Sequence, residues 1–255
     1  MLKMIKSISA AAVLSVMAIT GANAAGGNID YKSVDWQHTG MFGTYDRSAA
    51  QRGLQVYREV CAGCHALELV AFRTLQDLGF TEAEVKAIAA EYEYVDGPDD
   101  EGEMFTRAGK PFDKFPAPFA NEKAARASNG GAYPPDLSLM VKARSGAENY
   151  VYSLLTGFEE APEGFDLPEG MHYNEYFPGH KIAMAPPLFE DGVEYSDGTK
   201  ASVDQMAKDV TVFLAWAAEP KLEQRKNMGL KVILFLLLMS GIFYAAKRKV
   251  WSDVH

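Results

Sequence analysis

Residues 52–65 read RGLQVYREVCAGCH, and both cysteines of the 255-residue chain, Cys61 and Cys64, fall in its last five positions. Two thiols three positions apart, with His65 next, form the attachment signature of a c-type haem: each thiol can add to a porphyrin vinyl group, and the imidazole can then reach iron. The same residues could instead form a dithiol redox pair, half a zinc site or a local disulfide. A redox pair belongs between a strand and a helix, whereas Asp46–Val60 carries Leu54, Val56, Tyr57 and Val60 at helical spacing. Zinc would need two more ligands, and only histidines and carboxylates remain to supply them.

The helix leading into Cys61 contains Gly53, which costs about 1 kcal/mol of helix stability relative to alanine and so predicts a close approach by another element. The expected partner is the helix after Ser202, where S-V-D-Q resembles a capping box, Met206, Val210, Phe213, Leu214 and Trp216 form an apolar stripe, and Pro220 ends the run. Further helices are predicted from the T-E-A-E capping box at Thr81 to Tyr92, over Pro135–Arg144 and over Ala147–Leu155. No sustained strand alternation is visible. Proline and glycine punctuate 109–118 and 157–187, so long loops are expected around a mainly α domain.

Place is read from the two ends. Lys3 and Lys6, the apolar run from Ile8 to Ile19 and Ala22-Asn23-Ala24 form a signal peptide, predicted to be cleaved after residue 24. Residues 228–246, MGLKVILFLLLMSGIFYAA, are long and apolar enough for one transmembrane helix. Lys247, Arg248 and Lys249 then place the tail 247–255 in the cytoplasm and residues 25–227 on the periplasmic side of a bacterial inner membrane.

The formal charge of −9 becomes −11 without Lys3 and Lys6. It becomes −14 once four more positive charges and Asp253 are set aside with the anchor and tail. An exported domain this acidic excludes nucleic acid as a partner. Its acids crowd into two runs, Glu91 to Glu103 and Glu159 to Glu169, which are either solvated loops or a docking field for a basic protein.

The second axial position on the iron separates electron transfer from ligand binding. Met140 and Met206 lie in helical stripes, Met17 in the signal peptide, Met228 and Met239 in the anchor, and Met104 and Met171 in polar loops. Met184 lies in Ile182-Ala183-Met184-Ala185-Pro186-Pro187-Leu188, a small-residue loop stiffened by two prolines. Side-chain chemistry favours it and leaves His172, His180 or an open sixth position as alternatives.

RGLQVYREVCAGCH, AARASNGGAYPPDLSLMVKAR, YVYSLLTGF, YFPGHKIAMAPPL and MGLKVILFLLLMSGIFYAAKRKVW together closely resemble the cytochrome c1 family, the haem subunits of ubiquinol to cytochrome c reductase (bc1) complexes. The resemblance spans nearly all of the chain after the signal peptide. It implies a class I cytochrome c-like haem domain with long loop insertions and one C-terminal transmembrane helix. It implies one haem c held covalently by Cys61 and Cys64, with His65 and Met184 as axial ligands and Arg126 near a propionate. It implies cytochrome b and Rieske iron-sulfur subunits as partners in a dimeric oxidoreductase complex, and a soluble basic cytochrome c as acceptor. Some bacterial members carry a further disulfide before the methionine; lacking the cysteines, this chain must support Met184 by loop packing, with Pro186, Pro187 and Phe189 as candidates. A free-standing membrane-anchored shuttle and a haem sensor or peroxidase with an open distal site are the competing readings.

Overall fold

The computed structural model describes residues 29–252, so the predicted signal peptide and residues 253–255 lie outside the described residues. The chain divides into two units, 1–30 and 31–255. In chain order the elements of the second are α1 (Arg47–Val56), α2 (Glu82–Ala90), β1 (Glu93–Asp96), β2 (Phe105–Ala108), α3 (Glu122–Ser128), α4 (Met140–Ala143), α5 (Ala147–Leu155), β3 (His172–Tyr173), β4 (Lys181–Ile182), α6 (Val203–Ala218) and α7 (Leu222–Val250). The mainly helical class is as expected. The two antiparallel ribbons are not, because strands of two and four residues are too short to show alternation.

Asp46 starts α1 by accepting the Ala49 N–H at 3.0 Å. The helix does not run into Cys61 as regular α structure. Tyr57–Cys61 widens into a π turn, closed by the Ala62 N–H on the Tyr57 carbonyl at 2.8 Å. One extra residue in a turn re-aims the chain beyond it, and in this case that chain carries the Cys61 to His65 motif.

Gly53 marks the crossing of α1 and α6, as its position predicted. A Cβ at residue 53 would lie 2.1 Å from the Asp209 carbonyl oxygen and 2.7 Å from Phe213 Cβ, so only glycine permits this approach. Arg52 grips Asp209 with two bonds, Nε to Oδ2 at 2.9 Å and Nη2 to Oδ1 at 3.1 Å, and its Nη1 reaches Asp197 at 2.9 Å. The pairing satisfies an aspartate that is 1% exposed. Tyr57 then packs on Phe213, with ring centroids 5.9 Å apart, and edge-on to Phe115 at 5.7 Å.

Ser202 caps α6 through the Gln205 N–H at 3.1 Å, but only half a capping box forms, because the Gln205 amide is spent on Asp209. Residues around most of the circumference of α6 are buried, since α1, α4 and α5 all pack on it. The Tyr31–Tyr45 arm runs along α5, where Lys32 N donates to Ser153 Oγ at 2.8 Å and Trp36 Nε1 to Asn149 Oδ1 at 2.8 Å.

After Pro220 the chain enters α7, whose 29 residues span about 43 Å. Its most apolar window has a mean hydropathy of 2.0 and no buried residue, so it is the one helix among the described residues long and apolar enough to cross a membrane. It begins six residues before the predicted span because its first turns bond to the globular part: Glu223 accepts the Tyr45 N–H at 2.9 Å, and Lys226 Nζ donates to the His38 carbonyl at 2.6 Å.

Candidate haem site

Cys61 ends the π turn half-buried and Cys64 is exposed on the turn beyond it; the two thiols are not joined. The N–H groups of Cys64 and His65 both point back at the Cys61 carbonyl, at 3.1 and 2.9 Å. Burial pushes the Cys61 thiol up to about 12. A dithiol redox pair uses a thiolate of lowered pKa, which the burial of Cys61 opposes at that sulfur. Among the described residues no three His, Cys, Asp or Glu side chains converge on one point, so no zinc donor set is assembled.

His65 is held at both ends. Tyr57 Oη donates to its carbonyl at 3.1 Å, and its Nδ1 lies 2.8 Å from the Pro135 carbonyl oxygen. A carbonyl only accepts, so Nδ1 carries the proton and Nε2 keeps the lone pair that a metal needs. Burial lowers the His65 pKa, against an opposing pull from Pro135 and Asp136, which favours the neutral, ligating form.

The Pro135 carbonyl belongs to a strap under the motif. Leu137 N–H donates to the Ala66 carbonyl at 2.9 Å, Asp136 Oδ2 accepts the Glu68 N–H at 2.9 Å, and Ser138 Oγ accepts the Leu69 N–H at 3.1 Å. These contacts correct the helix expected over 135–144: only Met140–Ala143 is helical, because residues 135–139 spend their polar groups on the segment after His65. Tandem prolines followed by Asp-x-Ser, with Asp136 Oδ1 accepting the Ser138 N–H at 2.7 Å, mark a turn, and that signal could have found the strap. An open cleft of about 360 Å³ lies against it, lined by Glu68, Leu69, Pro135, Asp136, Leu139 and Met140 among others.

Met184 lies two residues beyond the β3–β4 ribbon, in which His172 pairs with Ile182 and Tyr173 with Lys181. Fully buried Asn174 fastens the ribbon to the end of α5: its Nδ2 donates to the Leu154 carbonyl at 2.8 Å, while the Glu175 N–H donates to the Gly157 carbonyl at 3.0 Å. His180 closes the ribbon turn with φ +58°, its ring stacked on Tyr173 at 5.6 Å. Both rival histidines are thus built into the ribbon. Met184 is half-buried between buried Ile182 and buried Leu188. Leu188, rather than Phe189, anchors the far side of the loop, for Phe189 is 67% exposed.

Arg126 lies on α3, where Nε and Nη2 bind Glu122 at 2.9 and 2.8 Å, Nη1 donates to the Gly131 carbonyl at 2.9 Å, and the guanidinium sits 5.6 Å from the Tyr133 ring. Its donors are committed to a half-exposed clasp, and a propionate would have to displace Glu122.

The donors present are of the kind a c-type haem takes: two thiols and an oriented imidazole on one turn, with a half-buried thioether in a loop flanked by buried Ile182 and Leu188. A profile of the cytochrome C1 family matches residues 36–254. Cytochrome c1 of Rhodospirillum rubrum is 49% identical over 256 residues, 94% of each chain. Cytochrome c1 1, heme protein, mitochondrial, of Arabidopsis thaliana is 51% identical over 242 residues, 94% of this chain and 78% of that one. The cytochrome b-c1 complex catalytic subunit, mitochondrial, of Candida albicans is 53% identical over 221 residues, 86% and 77% of the two chains. The family profile takes in the Cys61 to His65 turn, the 135–139 strap and the Met184 loop, and the chain belongs to the cytochrome c1 family.

Proposed function

We propose that this chain is the haem c subunit of a bacterial bc1 complex, receiving an electron from the Rieske iron-sulfur subunit and passing it to a soluble cytochrome c. The observation that carries the reading is the 2.8 Å bond from His65 Nδ1 to Pro135, which presents Nε2 as a ligand on a turn whose two cysteines can hold one porphyrin by thioethers. His65 Nε2 and Met184 Sδ would hold the haem iron, and Arg126 could pair with a propionate if Glu122 gave it up. When bound, the haem supplies a one-electron couple that histidine–methionine ligation sets higher than bis-histidine ligation would. The residues around it hold still: the strap fixes the imidazole, and Asn174 with Leu188 fixes the thioether loop. Such rigidity suits a carrier, because little has to rearrange when charge changes. The chain itself makes and breaks no substrate bond; ubiquinol oxidation belongs to the assembled, dimeric complex with cytochrome b.

Support for place comes from α7, whose apolar stretch ends in Lys247, Arg248 and Lys249, a pattern that by the positive-inside rule favours a haem domain on the periplasmic side. Support for the acceptor comes from Asp99, Asp100, Glu101 and Glu103, all exposed and in no ion pair among the described residues, which form an acidic face for a basic cytochrome c.

The test is purification of the full chain from membranes in mild detergent. Haem that stays with the polypeptide on a denaturing gel, is lost in Cys61→Ser/Cys64→Ser, and co-purifies with cytochrome b and an iron-sulfur protein is the expected result. A monomer with extractable haem would overturn the reading.

A further inference from the structure

Met41 and Phe42 form the tip of a loop in the N-terminal arm, and their exposure is unusual. Phe42 is 76% and Met41 69% exposed, and no large hydrophobic side chain among the described residues is more exposed than Phe42. The loop is rigidly held. Lys226 Nζ on α7 donates to the His38 carbonyl at 2.6 Å and the Gly43 carbonyl at 3.2 Å, one on either side of the tip. Gly40 takes φ +71°, and a Cβ on Gly43 would lie 1.9 Å from the Thr39 carbonyl oxygen, so the turn needs both glycines.

Where the loop is held decides what it meets. The apolar stretch of α7 begins at Met228, two residues and about 3 Å of helix rise beyond Lys226. Met228 and Val232, 60% and 45% exposed, open the apolar stretch of α7 just beyond the loop's attachment. Arg47 pairs with Glu223, while Lys226 binds only backbone carbonyls and so leaves a cation beside the exposed apolar tip.

We propose that the Gly40–Gly43 loop is a second membrane contact, with Met41 and Phe42 inserted at the headgroup–acyl boundary of the leaflet that α7 enters. The proposal rests on the reading of α7 as a membrane span. Lys226 fixes the depth of the loop by tying it to the helix, and two attachment points restrict the tilt of the haem domain on its anchor. An interfacial aromatic with a lysine beside it is the chemistry that a lipid surface accepts.

Spin labels at three sites of the full-length, haem-loaded and reduced protein test this in nanodiscs of phosphatidylcholine and phosphatidylglycerol. Phe42→Cys reports the loop, Leu236→Cys the span and Asp100→Cys open water, with the haem spectrum of each variant checking its fold. Power saturation with oxygen and a nickel chelate should give an oxygen-to-nickel accessibility ratio at residue 42 several-fold above that at 100 and below that at 236. Residue 42 matching residue 100 while 236 stays dry would overturn the loop contact and leave the span intact. Residue 236 as wet as 100 would overturn the span, and the loop contact with it. A label at 42 that is wet in lipid and shielded only when partner subunits are present would assign the loop to a protein contact and overturn the proposal.

Discussion

His65 shows how much of the site rests on single hydrogen bonds. Its imidazole is useful to a metal because Pro135, seventy positions away, offers one carbonyl to Nδ1. Asp136 secures that carbonyl by accepting the Glu68 and Ser138 N–H groups, so Asp136→Ala should destabilise the protein by about 1–3 kcal/mol, read as a lower denaturant midpoint with the haem spectrum perturbed. Met184→Leu removes the proposed thioether ligand and should let carbon monoxide bind rapidly to the reduced protein, as stopped-flow absorbance would show. Slow or absent binding in that variant would point to another sixth ligand. Cys61, Cys64 and His65 are legible as a site because their geometry is local and covalent. The strap is not, since Pro135 reads as a helix start until its carbonyl is seen to be needed elsewhere.

Gly53 extends the same dependence to the scale of elements. Helix propensity alone says Gly53→Ala stabilises by about 1 kcal/mol, but the Cβ would press into the Asp209 carbonyl. Overpacking of this kind costs about 1–3 kcal/mol, so the variant should unfold at lower denaturant than the parent protein; a rise in midpoint would mean α1 and α6 are not so close. The α1–α6 pairing is readable because a glycine inside an amphipathic helix is a cost that needs a reason. The π turn is not, since Tyr57–Cys61 has ordinary helical composition and its widening shows only in the Ala62 hydrogen bond. The ribbon that carries Met184 escapes notice because its two-residue strands have no period to detect. What sequence does show there is the braced Ile182–Leu188 loop, and the structure supplies its fastening through Asn174.

Over the whole molecule, charge links stability and encounter to solution conditions. Asp113 is held below the usual carboxylate range by Arg107, Asp204 by Lys208 and Tyr152, and Glu219 by Arg225 and Lys142. Each titrates lower folded than unfolded, so the unfolded chain binds more protons on acidification. The stability these pairs confer is complete above about pH 5, where the unfolded carboxyls are also ionised, and is lost as pH falls through their lowered pKa values; thermal unfolding should therefore shift to lower temperature below about pH 5. The acidic face predicts that turnover with a basic cytochrome c falls as ionic strength rises from low salt, and a flat profile would return Asp99 to Glu103 to ordinary solvated surface. The proposed electron transfer requires a haem held between His65 and Met184, and the sharpest test of that proposal is an optical redox titration of the full-length protein beside Met184→Leu. One low-spin, one-electron couple is expected, with a midpoint that drops in the variant by on the order of 100 mV, a fraction of the ~0.8 V range that axial ligands span. An unchanged midpoint and spectrum in Met184→Leu would rule out the thioether as the sixth ligand.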